Sequence, residues 1–387
     1  MSGHTKENLP GEDRSKWIIS RAYDLSWFIA PGFLAVLIAF ISHQLDFPKD
    51  IGLGSGRTDG KALPPWLWLL LIPGVDVSHV YSTLFRAYWD KEVWNRKKTL
   101  LTLTPLFCFV FALILYSFGK LVFWSAVAYL AVFHFIRQQY GFLALYSRKE
   151  EGSSNLSLLW DKVTLYAVTI LPVVYWHLTP DTRRFEWFME GDFFYFPNEL
   201  LAKSVHVLFW IWLLGYAISQ IYYLLNEKQI SLGKILLITN TSLVWYIGIV
   251  YLNDDFAFTL TNVINHGIPY IALVFAYSSF RRKNLPSVFY SAFQKGILAL
   301  LPFVLILIIL AFSEEWLWDS FVWREHSDLF GNKSVIRSEL GLGFEFILVP
   351  LFFLPQFTHY ILDGFLWKGG EDNRELRGFL GFQKLDP

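Results

Sequence analysis

The sequence predicts an all-α protein, a polytopic membrane helical bundle with about ten transmembrane helices. Its composition is too apolar for a soluble domain, because 54% of its 387 residues are hydrophobic and only 17% are charged. Apolar runs of roughly 17–25 residues recur along the chain, which is the length that a helix needs to cross a bilayer. Lys and Arg also concentrate in alternate connecting segments, as expected for a chain that crosses a membrane repeatedly.

The predicted spans are joined by short connections in at least two places. Little more than SFGK separates the third span from the fourth, which predicts a tight hairpin, and LNDD joins the seventh to the eighth. No internal repeat is visible. The ten spans lie near residues 26–45, 64–84, 99–118, 120–146, 158–177, 204–226, 232–252, 256–280, 294–313 and 342–367.

The distribution of Lys and Arg predicts the orientation of the chain. These residues are more numerous at both ends of the chain and in the loops after the even-numbered spans, and such segments stay on the cytoplasmic side. We therefore expect cytoplasmic tails over residues 1–25 and 368–387, flanking a transmembrane domain over 26–367 in the cytoplasmic (inner) membrane. Two outer loops rich in Trp and Phe, near 178–203 and 314–341, are expected to lie along the interface among membrane lipids.

Charge and cysteine content exclude other classes of protein. The formal net charge is zero, so nothing indicates a nucleic-acid partner. Cys108 is the single cysteine and lies in an apolar run, which rules out an internal disulfide. The polar N-terminus carries acidic residues before the first apolar run, unlike a cleaved signal peptide, so the first span is expected to be retained.

Four of the nine histidines lie inside predicted spans, where an ionisable side chain is costly and usually faces the interior of the bundle. All four are on even-numbered spans, which run in the same direction. Counting about 1.5 Å per residue places them between the bilayer midplane and the predicted cytoplasmic face. We therefore expect the imidazoles of His79, His134, His266 and His359 to converge.

Each of these histidines has a hydrogen-bonding side chain three or four residues away, on its own helix face. Such a neighbour can fix the tautomer and the orientation of a metal-bound imidazole. Prolines recur close by, at Pro73, Pro269 and Pro355, and are expected to bend their helices and open a cavity. The four neighbours are Asp76, Gln138, Asn262 and Asp363, of which the two aspartates can instead be ligands themselves.

Among the polar residues inside the predicted spans, Arg137 is the most costly to bury, and it requires a counter-charge or a hydrated pocket. Asp76 and Asp363 are the candidate counter-charges, and these three residues are the candidate catalytic groups. Arg86 is expected to extend its side chain to the cytoplasmic surface, or to bind an anionic head group together with Arg137. Gln139 has no evident role.

Imidazole suits iron, zinc and copper, and four histidines with up to two carboxylates suit a single non-haem iron with open positions. The four ligands would come from the segments DVSHVY, FHFIRQQYGF, NHGIPY and THYILDGF. In architecture and ligand type the chain resembles histidine-dependent membrane non-haem iron oxygenases, namely the Brp/Blh-type carotene dioxygenases and the fatty-acid desaturase/hydroxylase group. It departs from the second group because it has no HxxxH, HxxHH or HxxxHH box.

This resemblance implies that the four histidines bind iron, with Asp76 and Asp363 as outer or additional ligands. It also implies a lipid or isoprenoid substrate that enters laterally between aromatic-lined helices, and an electron-donor protein on the cytoplasmic side. Three other interpretations stay open. The His, Asp and Arg residues inside the spans can relay protons or bind a solute in a proton-coupled transporter. Zinc or haem can replace iron, haem through pairs of axial histidines. A metal-free lipid transferase can use His134 as a general base.

Overall fold

The computed structural model describes residues 16–45, 47, 65–150, 154–179, 187–226, 230–253, 255–324, 326–331, 344–370 and 373–381. Every regular element within these ranges is a helix. Ten of the helices are long and apolar enough to cross a membrane, so the predicted helical bundle with ten spans is confirmed to that extent. The side of the membrane on which each loop lies stays a prediction.

We number the ten long helices in chain order. They are α1 (Arg21–Gln44), α2 (Pro65–Tyr88), α3 (Lys91–Ser117), α4 (Lys120–Ser147), α5 (Asn155–Leu178), α6 (Glu199–Leu225), α7 (Leu232–Tyr251), α8 (Phe256–Phe280), α9 (Gly296–Trp323) and α10 (Glu345–Leu366). Two short helices, Ser287–Phe293 and Arg374–Leu380, follow α8 and α10. The SFGK connection is the expected tight hairpin, and Gly119 in it has a φ of +113° that favours glycine.

Several helix ends differ from the sequence prediction. α1 begins at Arg21 rather than near residue 26, and the Ser20 side chain caps it by accepting from Tyr23 N. α3 begins at Lys91 rather than near 99, because Asp90 caps a polar first turn. α9 continues to Trp323, so residues 314–323 are not part of a loop: this stretch contains no Pro or Gly to end the helix. Residues 332–343 of the predicted outer loop lie outside the described part of the chain.

The helices differ in how deeply they are buried. α8 is central, with 83% of its apolar segment buried, and it packs against α1, α2, α4 and α7. α6 and α9 lie at the periphery, with 17% and 22% buried. Their outward faces expose large apolar side chains, as a surface in contact with lipid requires. Examples are Ile211, Leu214, Ile218, Leu301, Leu305 and Ile309.

Two glycines allow close contacts between central helices. A Cβ atom on Gly267 of α8 would lie 2.5 Å from Val75 Cγ1 and 3.2 Å from the Val75 carbonyl oxygen, so α8 packs directly on the backbone of α2. A Cβ atom on Gly32 of α1 would collide with the side-chain amides of Asn240 and Asn265. These amides hydrogen-bond to each other at 2.7 Å between α7 and α8. Small residues and interhelical polar contacts of this kind are typical of packed membrane helices.

The described segments at the two ends of the chain meet at one end of the bundle. Trp17 and Ile18 belong to the same apolar cluster as Leu376 and Leu380, together with Tyr146 near the end of α4. An ion pair between Arg96 and Glu375 attaches the last short helix to α3. Residues 374–380, expected to form a tail, are therefore packed on the bundle.

Replacing Gly32 with Leu is expected to destabilise the bundle, because the added side chain must displace the Asn240–Asn265 pair. Overpacking at a tight position costs about 1–3 kcal/mol. The midpoint of thermal unfolding, followed as the loss of monodisperse elution in detergent, should fall by several degrees. Gly215→Leu on α6 is the matched control, because a Cβ there meets open space. An equal fall in the unfolding midpoint of both variants would contradict the close packing of α1 on α7 and α8.

Candidate metal centre

The four intramembrane histidines come together at the centre of the bundle. One ring nitrogen from each lies within 4.8 Å of the corresponding nitrogen of every other. All four residues are buried, and the most exposed of them has 5% of its surface accessible. The convergence expected from the sequence is therefore confirmed. The residues are His79 on α2, His134 on α4, His266 on α8 and His359 on α10.

The rings form two close pairs. His79 Nε2 lies 3.0 Å from His266 Nε2, and His134 Nε2 lies 3.1 Å from His359 Nε2. Two nitrogens that face each other at this distance either share one proton or bind a common ion. Nitrogen ligands about 2.1 Å from one ion, at neighbouring corners of an octahedron, lie about 3.0 Å apart. The donor set therefore fits a single metal ion.

The outer ring nitrogens have unequal environments. Thr83 Oγ1 lies 2.8 Å from His359 Nδ1, so this ring has a hydrogen-bond partner on α2 that the sequence did not predict. Among the described residues, the buried Nδ1 atom of His266 has no hydrogen-bond partner. A buried polar atom without a partner costs about 1–3 kcal/mol. The outer side of the cluster is therefore unfavourable in itself, and the case for a metal ion depends on the inner nitrogens.

The two aspartates lie beside the cluster at longer range. Asp76 Oδ1 is 3.7 Å from His79 Nδ1, and Asp363 Oδ1 is 3.7 Å from His359 Nδ1. Both distances are too long for a hydrogen bond. Asp363 instead accepts a hydrogen bond from the Tyr270 hydroxyl at 2.5 Å. Each aspartate lies next to the histidine that its spacing predicted, but neither orients that ring directly.

The predicted roles of the two amides as ring partners are wrong. Gln138 Nε2 donates to the carbonyl oxygen of His266 at 2.8 Å and so ties α4 to α8, rather than bonding to His134. Asn262 Nδ2 donates to the carbonyl oxygen of Phe258 at 3.0 Å, within its own helix. The Cα–Cβ bonds of a helix tilt toward its N-terminus. The Asn262 side chain therefore reaches backward and not forward to His266.

Gln139 has a structural role that follows from a proline. Pro269 has no N–H group, so the carbonyl oxygen of Asn265, four residues earlier, loses its helical donor. Gln139 Nε2 approaches this oxygen at 3.3 Å, and Gln139 Oε1 accepts from Thr241 at 3.2 Å. The expected bend at Pro73 coincides with a π-helical stretch over Ile72–Val77, and the α10 helix is interrupted at Phe353, two residues before Pro355. Pro269 lies inside a continuous helix.

Arg137 is not in the cluster, and its predicted pairing with Asp76 or Asp363 is wrong. The side chain is exposed, donates to the Tyr166 hydroxyl at 2.6 Å and lies 4.9 Å from the ring centroid of Tyr140. No described carboxylate pairs with it. The hydrogen bond to Tyr166 shows that the Arg137 side chain faces α5 and not the histidines.

Arg86 is buried, so the expected extension to the surface is also wrong. Its Nη1 atom donates to the Tyr277 hydroxyl at 3.0 Å, and its Nη2 atom donates to the Leu366 carbonyl oxygen at 2.5 Å. The guanidinium lies over the rings of Tyr277 and Trp367, 4.2 Å and 4.9 Å from their centroids. Cation–π contacts and hydrogen bonds replace the counter-ion. Arg86 therefore joins α2, α8 and the end of α10 beyond the histidines.

Comparisons with protein-family models, with curated proteins and with solved structures found no match to this chain. The chemistry of the cluster is therefore inferred from its donor atoms and their surroundings alone. These surroundings are aromatic on three sides. The ring centroid of Tyr360 is 4.3 Å from that of His134, that of Phe135 is 4.2 Å from that of His266, and that of Tyr270 is 5.1 Å from that of His359.

Two cavities adjoin the cluster, and Tyr360 lines both. The larger one, which we call the groove, has a volume of about 440 Å³ and runs between α4, α8 and α10, with His134 in its wall. The smaller one, the acidic chamber, has a volume of about 140 Å³. It is lined by four carboxyl side chains, those of Asp76, Glu314, Glu315 and Asp319.

The sequence analysis missed the two glutamates, because it placed them in an outer loop. Glu314 accepts hydrogen bonds from the Tyr81 hydroxyl at 2.6 Å and from Trp318 Nε1 at 3.2 Å. The uninterrupted run of helix-compatible residues after residue 313 was the available signal. It would have placed both glutamates on α9, within reach of α2.

Proposed function

We propose that this chain is a membrane-embedded metalloenzyme, an oxidoreductase in which His79, His134, His266 and His359 bind one non-haem iron ion. The observation that carries the proposal is the group of four buried ring nitrogens within 4.8 Å of one another. Buried imidazoles in a membrane protein are costly and mark functional sites. Their mutual approach, with Thr83 beside the outer nitrogen of His359, is the arrangement expected of a metal site.

The donor set favours iron over zinc or haem. Four imidazoles would complete a tetrahedral zinc site and leave no position for a substrate, whereas six-coordinate iron keeps two positions open. A haem fills the plane between its two axial ligands. Four nitrogens within 4.8 Å of one another leave no room for that plane. The bound iron would supply the redox chemistry for oxidation of an apolar substrate by dioxygen.

The groove supports a lipid or isoprenoid substrate, because its lining is mostly apolar and aromatic and it reaches His134. Hydroxylation or desaturation with dioxygen consumes two electrons and two protons from outside the substrate. Either reaction therefore requires an electron donor, for which the resemblance implies a protein on the cytoplasmic side. Oxidative cleavage that places both oxygen atoms in the products requires no donor, so the electron requirement of the reaction separates the two classes.

A proton-coupled transporter is a second candidate function. The observation that favours it is the pair of cavities near the polar cluster, both of which Tyr360 lines. Transporters bind solutes and coupling ions near the midplane, between cavities that open alternately. Proton-driven uptake of a solute into liposomes that contain the metal-free protein would favour this candidate over the enzyme.

Purified protein from cells grown with added iron is expected to contain about one iron ion per chain, because one ring nitrogen from each of the four histidines can bind the same ion. Replacing any one of the four histidines with Ala should lower the iron content, since each supplies one donor. Inductively coupled plasma mass spectrometry measures the metal. His206→Ala is the matched control, because His206 bonds to Tyr246 and lies away from the cluster. Wild-type protein that elutes as a folded species without metal would remove the basis of this proposal.

Thr83→Val is expected to weaken iron binding, because it removes the hydrogen bond to His359 Nδ1 while keeping the shape of the side chain. Losing an outer partner of a metal-bound imidazole typically costs 10–100-fold in metal affinity. Competition with a chelator of known affinity measures the change. Thr164→Val is the control, because Thr164 is also fully buried and hydrogen-bonded, to Trp212. Equal iron affinity in the Thr83 variant and the wild type would show that this contact does not orient a ligand.

A further inference from the structure

We infer that the groove binds an amphipathic molecule with a long apolar chain and an anionic head group, a carboxylate or a phosphate. The head group is held beside Arg148 and Lys368, and the chain extends toward His134. That this ligand is the substrate rests on the proposed function. That the groove binds it rests on the lining, the length and the charge of the groove.

The groove is a continuous channel between two helices. α4 lines it with residues in every turn from Leu130 to Arg148, on the side of the helix that faces α10. The last part of α10 and the residues after it, from Tyr360 to Lys368, line the opposite side. Tyr270 and Leu273 of α8 contribute a third side. The shape is therefore long and narrow, as an extended chain requires.

The two ends of the groove differ in chemistry. His134 and Tyr360 lie at one end, inside the spans, and Arg148 and Lys368 lie at the other, just beyond the last residues of α4 and α10. Fourteen residues of α4 separate His134 from Arg148, a rise of about 21 Å. A membrane lipid chain covers about 15 Å, half of the hydrocarbon thickness. A chain that begins at the cationic end therefore extends most of the way to His134.

The charges in the groove select an anion. The lining contains three cations, Arg137, Arg148 and Lys368. It contains one carboxyl side chain, that of Asp363, which accepts a hydrogen bond from the Tyr270 hydroxyl. Among the described residues, no carboxylate pairs with Lys368, whose ammonium lies 5.2 Å from the ring centroid of Phe365. Arg148 Nη1 packs against Gly369, the residue after Lys368, so both cations belong to the same end of the groove. Paired cations at a membrane surface suit a carboxylate or phosphate head group.

The groove also reaches the outer surface of the bundle. Phe133 and Gly364, which line it, are exposed, and Phe133 has 59% of its surface accessible. A chain can therefore enter sideways from the lipid. A Cβ atom added to Gly141 or Gly364 meets open space, so the groove can be filled by mutation at either glycine without a clash at the Cβ position.

The test measures the binding of tritiated palmitate to the full chain in phosphatidylcholine nanodiscs, by scintillation proximity. Wild-type protein should bind palmitate saturably. Unlabelled palmitate or hexadecyl phosphate should compete at least ten times better than methyl palmitate, hexanoate or inorganic phosphate. The better of the two strong competitors identifies the head group as carboxylate or phosphate. Competition by inorganic phosphate as strong as by hexadecyl phosphate would show a site for free anions and would overturn the inference.

Variants locate the binding in the groove. Gly141→Phe should abolish palmitate binding, and Arg148→Gln with Lys368→Gln should weaken it at least tenfold without changing competition by methyl palmitate. The controls are Gly215→Phe, at a glycine that also has open space on α6, and Lys295→Gln, an exposed lysine outside the groove. If Gly141→Phe does not elute as a folded protein, Gly364→Phe replaces it. Palmitate binding unchanged in the groove variants would overturn the inference.

The iron content of the same samples separates this inference from the proposed function. Iron-loaded wild-type protein without saturable palmitate binding overturns the amphiphile site and leaves the metalloenzyme. Saturable palmitate binding that depends on Gly141 and the two cations, in protein that takes up no iron, supports the groove and overturns the metalloenzyme. Gly141→Phe protein that keeps its iron and loses palmitate supports both.

Discussion

Contact between four imidazoles from four different helices is the constraint on which the rest of this structure depends. His79, His134, His266 and His359 can meet only if α2, α4, α8 and α10 surround one point. α8 supplies the centre, and Gly267, next to His266, brings it onto the backbone of α2. α2 changes to π-helical geometry just before His79, and α10 is interrupted before His359. Such irregularities are frequent at functional sites.

Hydrocarbon offers no water to satisfy polar groups, so each irregularity near the cluster requires a partner from the protein. Gln139 occupies the carbonyl that Pro269 leaves without a donor, and Gln138 bonds to the next carbonyl along α8. Arg86 is stabilised by two aromatic rings and by the Leu366 carbonyl oxygen at the end of α10. The polar residues of FHFIRQQYGF thus have three separate roles. His134 belongs to the cluster, Gln138 and Gln139 donate to backbone carbonyl oxygens of α8, and Arg137 is a cation in the lining of the groove.

The features that the sequence predicted correctly are those that follow from the cost of burying a polar group in hydrocarbon. The ten apolar helices and the convergence of four histidines follow from that cost, without knowledge of which helices are neighbours. It did not predict the partners of individual side chains, because these depend on rotation about each helix axis. Arg137 and Arg86 show this most clearly: both are single arginines in apolar runs, and the one expected to be buried is exposed. Glu314 was missed because hydropathy ended α9 too early.

The two cavities beside the cluster differ in their polar side chains and in size, and this asymmetry assigns them different occupants under the proposed function. The acidic chamber holds about 140 Å³ and is lined by four carboxyl groups, so it suits small polar molecules such as water and is too small for a lipid chain. The groove holds about 440 Å³ and carries its cations at the end away from the histidines. A chain in the groove therefore leaves the chamber free. The small molecule and the apolar substrate would then occupy separate cavities that share Tyr360, whose ring centroid lies 4.3 Å from that of His134.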